Sequence, residues 1–324
     1  MPSRNKLLVG IDEAGYGPNL GPLVVVAMWL EVPADTPSFG LWERLHPRVG
    51  KCGSTARDAI VVDDSKKVYN SGKGLERLER AALAWLSLKG AGPQSLRQLW
   101  ADHCVTAPAD IDEVPWHADR DLSLPRHATE DQLDRDRESL AAALSEADFG
   151  RVDVACQIVL PRRFNELVRQ CDTKSTALFQ VGAELLQRVW MSSQEPRIEA
   201  VLDKHGGRNF YRPLLQQYFN ETLVLSGREG AAASDYVIAA GGRELHATFV
   251  PKADANHLLV AWASMLAKYL RESWMTLFNE FWVTHVPGLR PTAGYPVDAR
   301  RFLEEIRPAT DRLGVARDLL WRER

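Results

Sequence analysis

The sequence predicts an α/β fold, a mixed sheet covered by helices on both faces. Two runs rich in Val and Leu, KLLVGIDE and PLVVVAMWLEV, flank a Gly/Pro-rich connection and read as a buried strand pair, a hairpin. After it, strand-like runs alternate with amphipathic helical ones: VDVACQIVLP before RRFNELVRQ and TKSTALFQVGAELLQRVW, and RIEAVLDK before NFYRPLLQQYF. A hairpin followed by such alternation requires strands of both senses, and strands that are apolar nearly throughout require cover on both sides.

Residues 33–60 carry Pro, Gly and Ser without clear periodicity and read as an irregular excursion. VVDDSKKVYN then leads into a helix, GLERLERAALAWLSLK, with Leu75, Leu78, Ala82, Leu83 and Leu86 on one face. From 93 to 148 the chain is polar and dense in Asp, Glu and Arg; it reads as a charged insertion, an acidic and partly disordered arm that becomes helical at its end. TLVLSG and DYVIAA read as short strands, ELHATFVPKAD as a longer one running into Asp254, and HLLVAWASMLAKYLRESWMTLFNEFW as one long helix. The expected organisation is one domain over 5–306, interrupted at 33–60 and 93–148, with an Arg-rich tail over 307–324.

The 324 residues are 45% hydrophobic and 26% charged, an ordinary globular balance. A net charge of −3 excludes a strong overall positive field, so contact with nucleic acid would need a local basic surface. Cys52, Cys104, Cys156 and Cys171 lack paired short spacing, which argues against a zinc site or a disulfide framework and for a reducing cytoplasm. No stretch approaches the roughly 18 apolar residues of a membrane span.

Chemistry concentrates at strand ends. Adjacent Asp12 and Glu13 close an apolar strand just before AGYGPNLGP, Asp203 closes another, and Asp254 follows FVPKA. Taken singly, each Asp is more often a cap or turn residue. If these strand ends are neighbours, four oxygen donors meet at one edge, a set that suits Mg²⁺ or Mn²⁺ better than zinc. Two such ions could drive in-line phosphodiester hydrolysis without a nucleophilic side chain. GYGPNLG lacks both the P-loop ending and dinucleotide-binding spacing.

GIDEAGYGPNLGPLVV resembles the opening motif of type 2 ribonucleases H, the ribonuclease HII kind. VVDDSKKV, VLDKHGGR, KADANHLLVAWASMLAKYLRE and AGYPVDARRFLEEI resemble four further landmarks in the same order. The resemblance implies a ribonuclease H-like, five-stranded mixed sheet with insertions and a helical C-terminal part. It implies a metal-dependent endonuclease acting on the RNA strand of RNA–DNA hybrids or on ribonucleotides embedded in DNA, with two Mg²⁺ or Mn²⁺ ions on Asp12, Glu13, Asp203 and Asp254. It gives substrate contacts to Gly15, Tyr16, Gly17, Ser65, Lys66, Ser264, Lys268 and Tyr295, with the Gly15–Gly17 turn reading the ribose 2′-hydroxyl. The sequence offers no membrane span and no inferable protein partner, and a monomer is expected.

The chain also departs from that pattern. Tyr16 stands where many bacterial members carry Arg, Trp262 replaces an Ala, and Glu272 stands where Asp is usual. RRFNELVRQCDTKSTALF is closer to ribonuclease HIII. Tyr16 and Trp262 motivate a second expectation, a nuclease of altered sugar specificity; a third is a hybrid-binding protein on the same fold without catalysis. Ser65 and Ser264 read equally as helix caps, Lys66 and Lys268 as solvated helix-end charges, and the tail as a duplex-facing amphipathic helix or a solvated one.

Overall fold

Alternation along the first two strands decides the layering. The computed structural model describes residues 5–53, 58–69, 74–171 and 173–323. Its strands are β1 (Asn5–Ala14), β2 (Leu23–Pro33), β3 (Val49–Gly50), β4 (Ile60–Val61), β5 (Val152–Val159), β6 (Arg197–Asp203), β7 (Leu223–Glu229), β8 (Ser234–Ala240) and β9 (Arg243–Val250). Its α-helices are α1 (Leu41–Leu45), α2 (Ser65–Val68), α3 (Glu76–Leu86), α4 (Leu96–His103), α5 (Pro108–Asp112), α6 (Glu130–Glu146), α7 (Pro161–Cys171), α8 (Lys174–Ser192), α9 (Arg212–Tyr218), α10 (Leu258–His285) and α11 (Pro296–Leu313). Leu7, Val9 and Ile11 of β1, with Leu23, Val25 and Ala27 of β2, pack into one core with α7, α8 and α9. Leu8, with Val24, Val26, Met28, Leu30 and Val32, packs into the other, with α3, α6, α10 and α11. Side chains of period two thus fill two cores from one sheet.

The main sheet has seven strands in the order β5-β2-β1-β6-β9-β8-β7. β1 runs antiparallel to β2 and parallel to β6, and β6 runs parallel to β9, while the outer pairs are antiparallel. The α/β mixed sheet read from the sequence is therefore observed, with seven strands where five were expected. Two short runs beyond the five-stranded pattern extend the same sheet: DYVIAA pairs onto β9, and TLVLSG onto DYVIAA. In the register, Ile11 stands beside Leu202 and Asp203 beside Val250, so the three acidic strand ends are neighbours on one edge.

The 93–148 segment is corrected from an arm to a packed layer. Leu96, Leu99, Trp100, Ile111, Val114, Trp116, Leu122, Leu124 and Leu140 are buried between its charges. Trp116 meets Trp274, Phe278 and Trp282 of α10 at ring distances of 6.1, 5.1 and 6.0 Å. Fully buried Glu79 accepts the backbone N–H groups of Arg126, His127 and Ala128 and the Tyr269 hydroxyl, and Arg80 forks onto Asp136 at 2.8 Å. Charge density concealed the pattern because the buried apolar residues stand singly or in pairs among charged ones that face water. The 33–60 excursion is likewise packed, with Leu41, Trp42, Leu45 and Val49 buried; its residues 54–57, and Arg324 of the tail, lie outside the described residues.

Cysteine spacing misled as well. Cys104 and Cys156 form a disulfide between the end of α4 and β5, 52 positions apart, so the expectation of four reduced thiols is corrected. Spacing along a chain carries no information about two segments brought side by side on a sheet edge. No described helix is long and apolar enough to cross a membrane.

Candidate active site at the β1, β6 and β9 ends

Asp12 lies near the end of β1, buried, on the face that meets α10. Its carboxylate accepts the Glu13 N–H at 2.8 Å and the Ser264 hydroxyl. Ser264 Oγ in turn lies 3.0 Å from Ser65 Oγ, linking α10 to α2 beneath the carboxylate. Asp64 caps α2 by accepting the Lys66 N–H at 2.8 Å, which fixes where Ser65 and Lys66 stand. Ser65 and Ser264 are thus interior hydroxyls of one network, and neither is the residue that caps its helix.

Asp203 ends β6 with Ala253 N–H donating to it at 3.3 Å. To bring that amide round, Lys252 takes a left-handed conformation, φ 56°, costly for a residue with a Cβ and tolerated here where β9 turns sharply into a 3₁₀ turn over Ala253–Ala255. Asp254 is carried to the same edge by that turn.

The electrostatics report how close the four acids are. Burial, then Glu13 and Asp203, pushes the Asp12 carboxyl well above the usual range. Burial, then Asp203, pushes Glu13 up to about 7. Asp203 is raised chiefly by burial, against the backbone N–H groups that oppose it, and Asp254 by burial, then by Asp64 and Asp203. Lys66 is exposed, yet its charge reaches Glu13, Asp203 and Asp254 and partly offsets their repulsion. Asp64, which drew no attention in the sequence beyond its place in DDSKK, is a fifth carboxylate at this edge.

Four carboxylates held above their usual range, chiefly by burial and with Asp203 repelling the other three, are a donor set for hard divalent cations. Among the described residues, however, no group of three His, Cys, Asp or Glu side chains forms a ready-made metal cage. The set fits Mg²⁺ or Mn²⁺ by donor chemistry, and the arrangement is more open than a chelate.

The turn after β1 stands over this edge. Gly15 has φ 90° and lies so close to α10 that a Cβ there would come within 2.5 Å of Pro22 O and 2.7 Å of Arg271 Nε. Gly17 is exposed, and a Cβ on it would lie 3.7 Å from Cε1 of Tyr295, itself half exposed at the start of α11. Tyr16 packs beneath Lys174 of α8, whose ammonium sits 4.8 Å from the ring centre. The turn therefore has a cation beside it, supplied by α8 rather than by position 16. Lys268 donates to Glu272 at 2.7 Å and lies over the Tyr69 ring, so its charge is engaged one helical turn along α10. Trp262 points away from the site: it donates to Ala81 O at 2.7 Å and packs on Trp85 of α3. No local pattern points to Lys174, Arg271 or Arg322 here, because each reaches the turn from a distant segment.

No family model matches the chain, and no curated protein matches it. Among solved structures, the chain is similar to type 2 ribonucleases H. Ribonuclease HII of Archaeoglobus fulgidus, solved with PCNA, has 16% identity and a TM-score of 0.43 over 98% of this chain and 94% of that one. Ribonuclease H2 of Pyrococcus horikoshii has 15% identity and a TM-score of 0.40 over 97% and 92%. Bst ribonuclease HIII, solved with Mn²⁺, has 16% identity and a TM-score of 0.40 over 98% of this chain and 66% of that one.

Proposed function

We propose that this protein is a divalent-metal-dependent endonuclease that hydrolyses the RNA strand of RNA–DNA hybrids, or ribonucleotides embedded in duplex DNA. The observation that carries the reading is the gathering of Asp12, Glu13, Asp203 and Asp254 on one sheet edge under the Gly15–Gly17 turn. A buried acidic cluster with an exposed lysine, Lys66, as counter-charge is unfavourable unless it serves a cation.

The four carboxylates would hold Mg²⁺ or Mn²⁺, which when bound activates water and stabilises the leaving oxygen of a phosphodiester. The chain's own groups do the rest. The Ser65–Ser264 pair fixes the Asp12 carboxylate in place, Lys66 offers its ammonium to a non-bridging phosphate oxygen, and the Gly15–Gly17 backbone with Tyr295 grips the sugar on either side of the cut.

The deciding assay follows labelled hybrid, DNA with one ribonucleotide, and all-DNA duplexes with Mg²⁺, Mn²⁺ or EDTA. Metal-dependent cutting of a ribonucleotide-containing duplex alone is expected. Equal cutting of all three would replace the reading with a general nuclease, and binding without cutting would leave a hybrid-binding protein.

Metal and pH should be linked through Glu13. Its carboxyl is held at about 7 in the folded chain against 4.5 for the free group, so between these values the folded state carries more protons than the unfolded one. The stability of the metal-free protein therefore falls as pH rises through that window. A divalent ion replaces the proton as counter-charge. Mn²⁺ should thus raise the melting temperature by several degrees at pH 8 and by clearly less at pH 5; equal gains at both would contradict metal binding here.

A further inference from the structure

We propose that Arg322 is a positioning residue for the Gly15–Tyr16–Gly17 turn, and that residues 320–323 strap this turn from behind so that its outward face keeps the shape that reads the substrate sugar. The inference rests on the nuclease reading for its consequence, and on geometry alone for the strap.

After α11 the chain returns to the β1–β2 connection. Leu20 and Trp321 form an antiparallel bridge, Arg322 N–H donates to Asn19 O at 2.8 Å, and Asn19 Nδ2 donates back to Arg322 O at 2.8 Å. Asn165 of α7 locks the other side, donating to Trp321 O at 2.9 Å and accepting the Glu323 N–H at 2.8 Å. The Arg322 side chain then runs inward, fully buried, with its guanidinium 4.8 Å from the Phe164 ring centre, and one Nη donates to both Gly15 O and Pro18 O. Arg271, also buried, takes Leu20 O at 3.2 Å and Ala293 O at 3.0 Å from the same side.

This is an unfavourable arrangement if its purpose is only to fill space. Among the described residues no carboxylate pairs with Arg322, its Nε and Nη1 find no acceptor, and the facing charge is another arginine. Burial and Arg271 push the guanidinium down to about 9, the direction expected of an uncompensated buried cation. An apolar side chain would pack at lower cost. What the buried guanidinium adds is simultaneous capture, through the two hydrogens of one Nη, of carbonyls three residues apart. With the carbonyls of Gly15, Pro18, Asn19 and Leu20 all drawn to the protein side, the peptide planes of the turn are set. Among the described residues no backbone acceptor stands against the N–H of Tyr16 or Gly17, and Gly17 itself is exposed beside Tyr295.

The test uses Arg322→Gln and the milder Arg322→Lys, each read by hydrogen exchange and by kinetics on the hybrid and single-ribonucleotide duplexes. Arg322→Gln should speed exchange over residues 15–20 with the rest of the sheet unchanged. It should lower kcat about 10- to 100-fold, the scale of a small misplacement in a positioned site, with the Mn²⁺ concentration giving half-maximal rate unaltered. Arg322→Lys should recover part of both. Wild-type exchange and rates in Arg322→Gln would overturn the proposal. So would loosening of the whole sheet in both variants, the mark of a general structural role. If the wild-type protein cuts no ribonucleotide-containing duplex, the nuclease reading falls while the exchange pattern still decides the strap.

Discussion

If the proposed function holds, Asp12→Asn and Asp203→Asn should each abolish cleavage and leave the metal-free protein at least as stable as wild type. Both halves follow from the same geometry. The carboxylates stand on adjacent parallel strand ends, where burial raises both and the charges of Glu13 and Asp203 raise Asp12 further. An amide keeps the shape and the acceptor oxygen, so the Glu13 N–H and Ser264 hydroxyl still find an acceptor at position 12, and the Ala253 N–H still finds one at position 203. It removes one of the repelling charges, which relieves the folded state. What is lost is charge and donor strength toward a cation. The rate should fall by more than the roughly 10²–10³-fold that loss of one preorganised stabilising group costs. Cleavage assays paired with melting curves in EDTA test the prediction. Retained cutting in both variants would sink the proposed site; lost cutting with a melting temperature well below wild type would show that the acids serve the fold instead.

The parts of this site that were legible share one physical origin, a polar residue where an apolar strand stops. Asp12, Glu13 and Asp203 announce themselves because the strand residues before each are mostly apolar, and Asp254 because a strand runs straight toward it. Tyr295 could be placed only by resemblance, since nothing in AGYPVD alone says which turn it will face. Illegible were contacts made by segments far apart in sequence. Arg322 reaches Gly15 across 307 positions and Glu79 reaches the 126–128 backbone across 47 to 49, and no local pattern encodes either. The charged segment 93–148 was misjudged because its helical spacings are short and set among charges, Leu96, Leu99 and Trp100 in α4 and Leu140, Ala143 and Leu144 in α6, while Trp116 between them follows a tertiary surface, the aromatic flank of α10. Trp262 shows the converse: a bulky residue in a block of small ones looked like a change at the active site, and it is a packing partner of Trp85 on the far side of the helix.

Gly10→Ala should be the most damaging single methyl addition in the chain. Gly10 faces α10 from the middle of β1, and a Cβ there would land on the backbone of Leu259 and Val260 and within 2.7 Å of the Leu259 Cβ. Backbone cannot step aside as a side-chain end can; either β1 or the helix must move. α10 is buried along most of its 28 residues, so moving it disturbs packing over its whole length. The backbone conformation itself is no obstacle, because Gly10 does not occupy the left-handed region, and alanine would otherwise suit a strand better than glycine. The cost is therefore steric, at or above the upper end of the roughly 1–3 kcal/mol typical of overpacked cores, which for a domain of this size lowers the melting temperature by roughly 4–5 °C or more. The control is Gly182→Ala in α8, where the added carbon meets only Leu202 Cδ2 at 4.0 Å and helix propensity favours alanine by up to about 1 kcal/mol. It should melt no lower than wild type. Because α10 also brings Ser264 to Asp12, Gly10→Ala should lose activity at temperatures where it remains folded. If the two alanine variants instead melt together, the strand and helix do not approach as closely as Gly10 implies, and the placement of Ser264 beneath Asp12 falls with that contact.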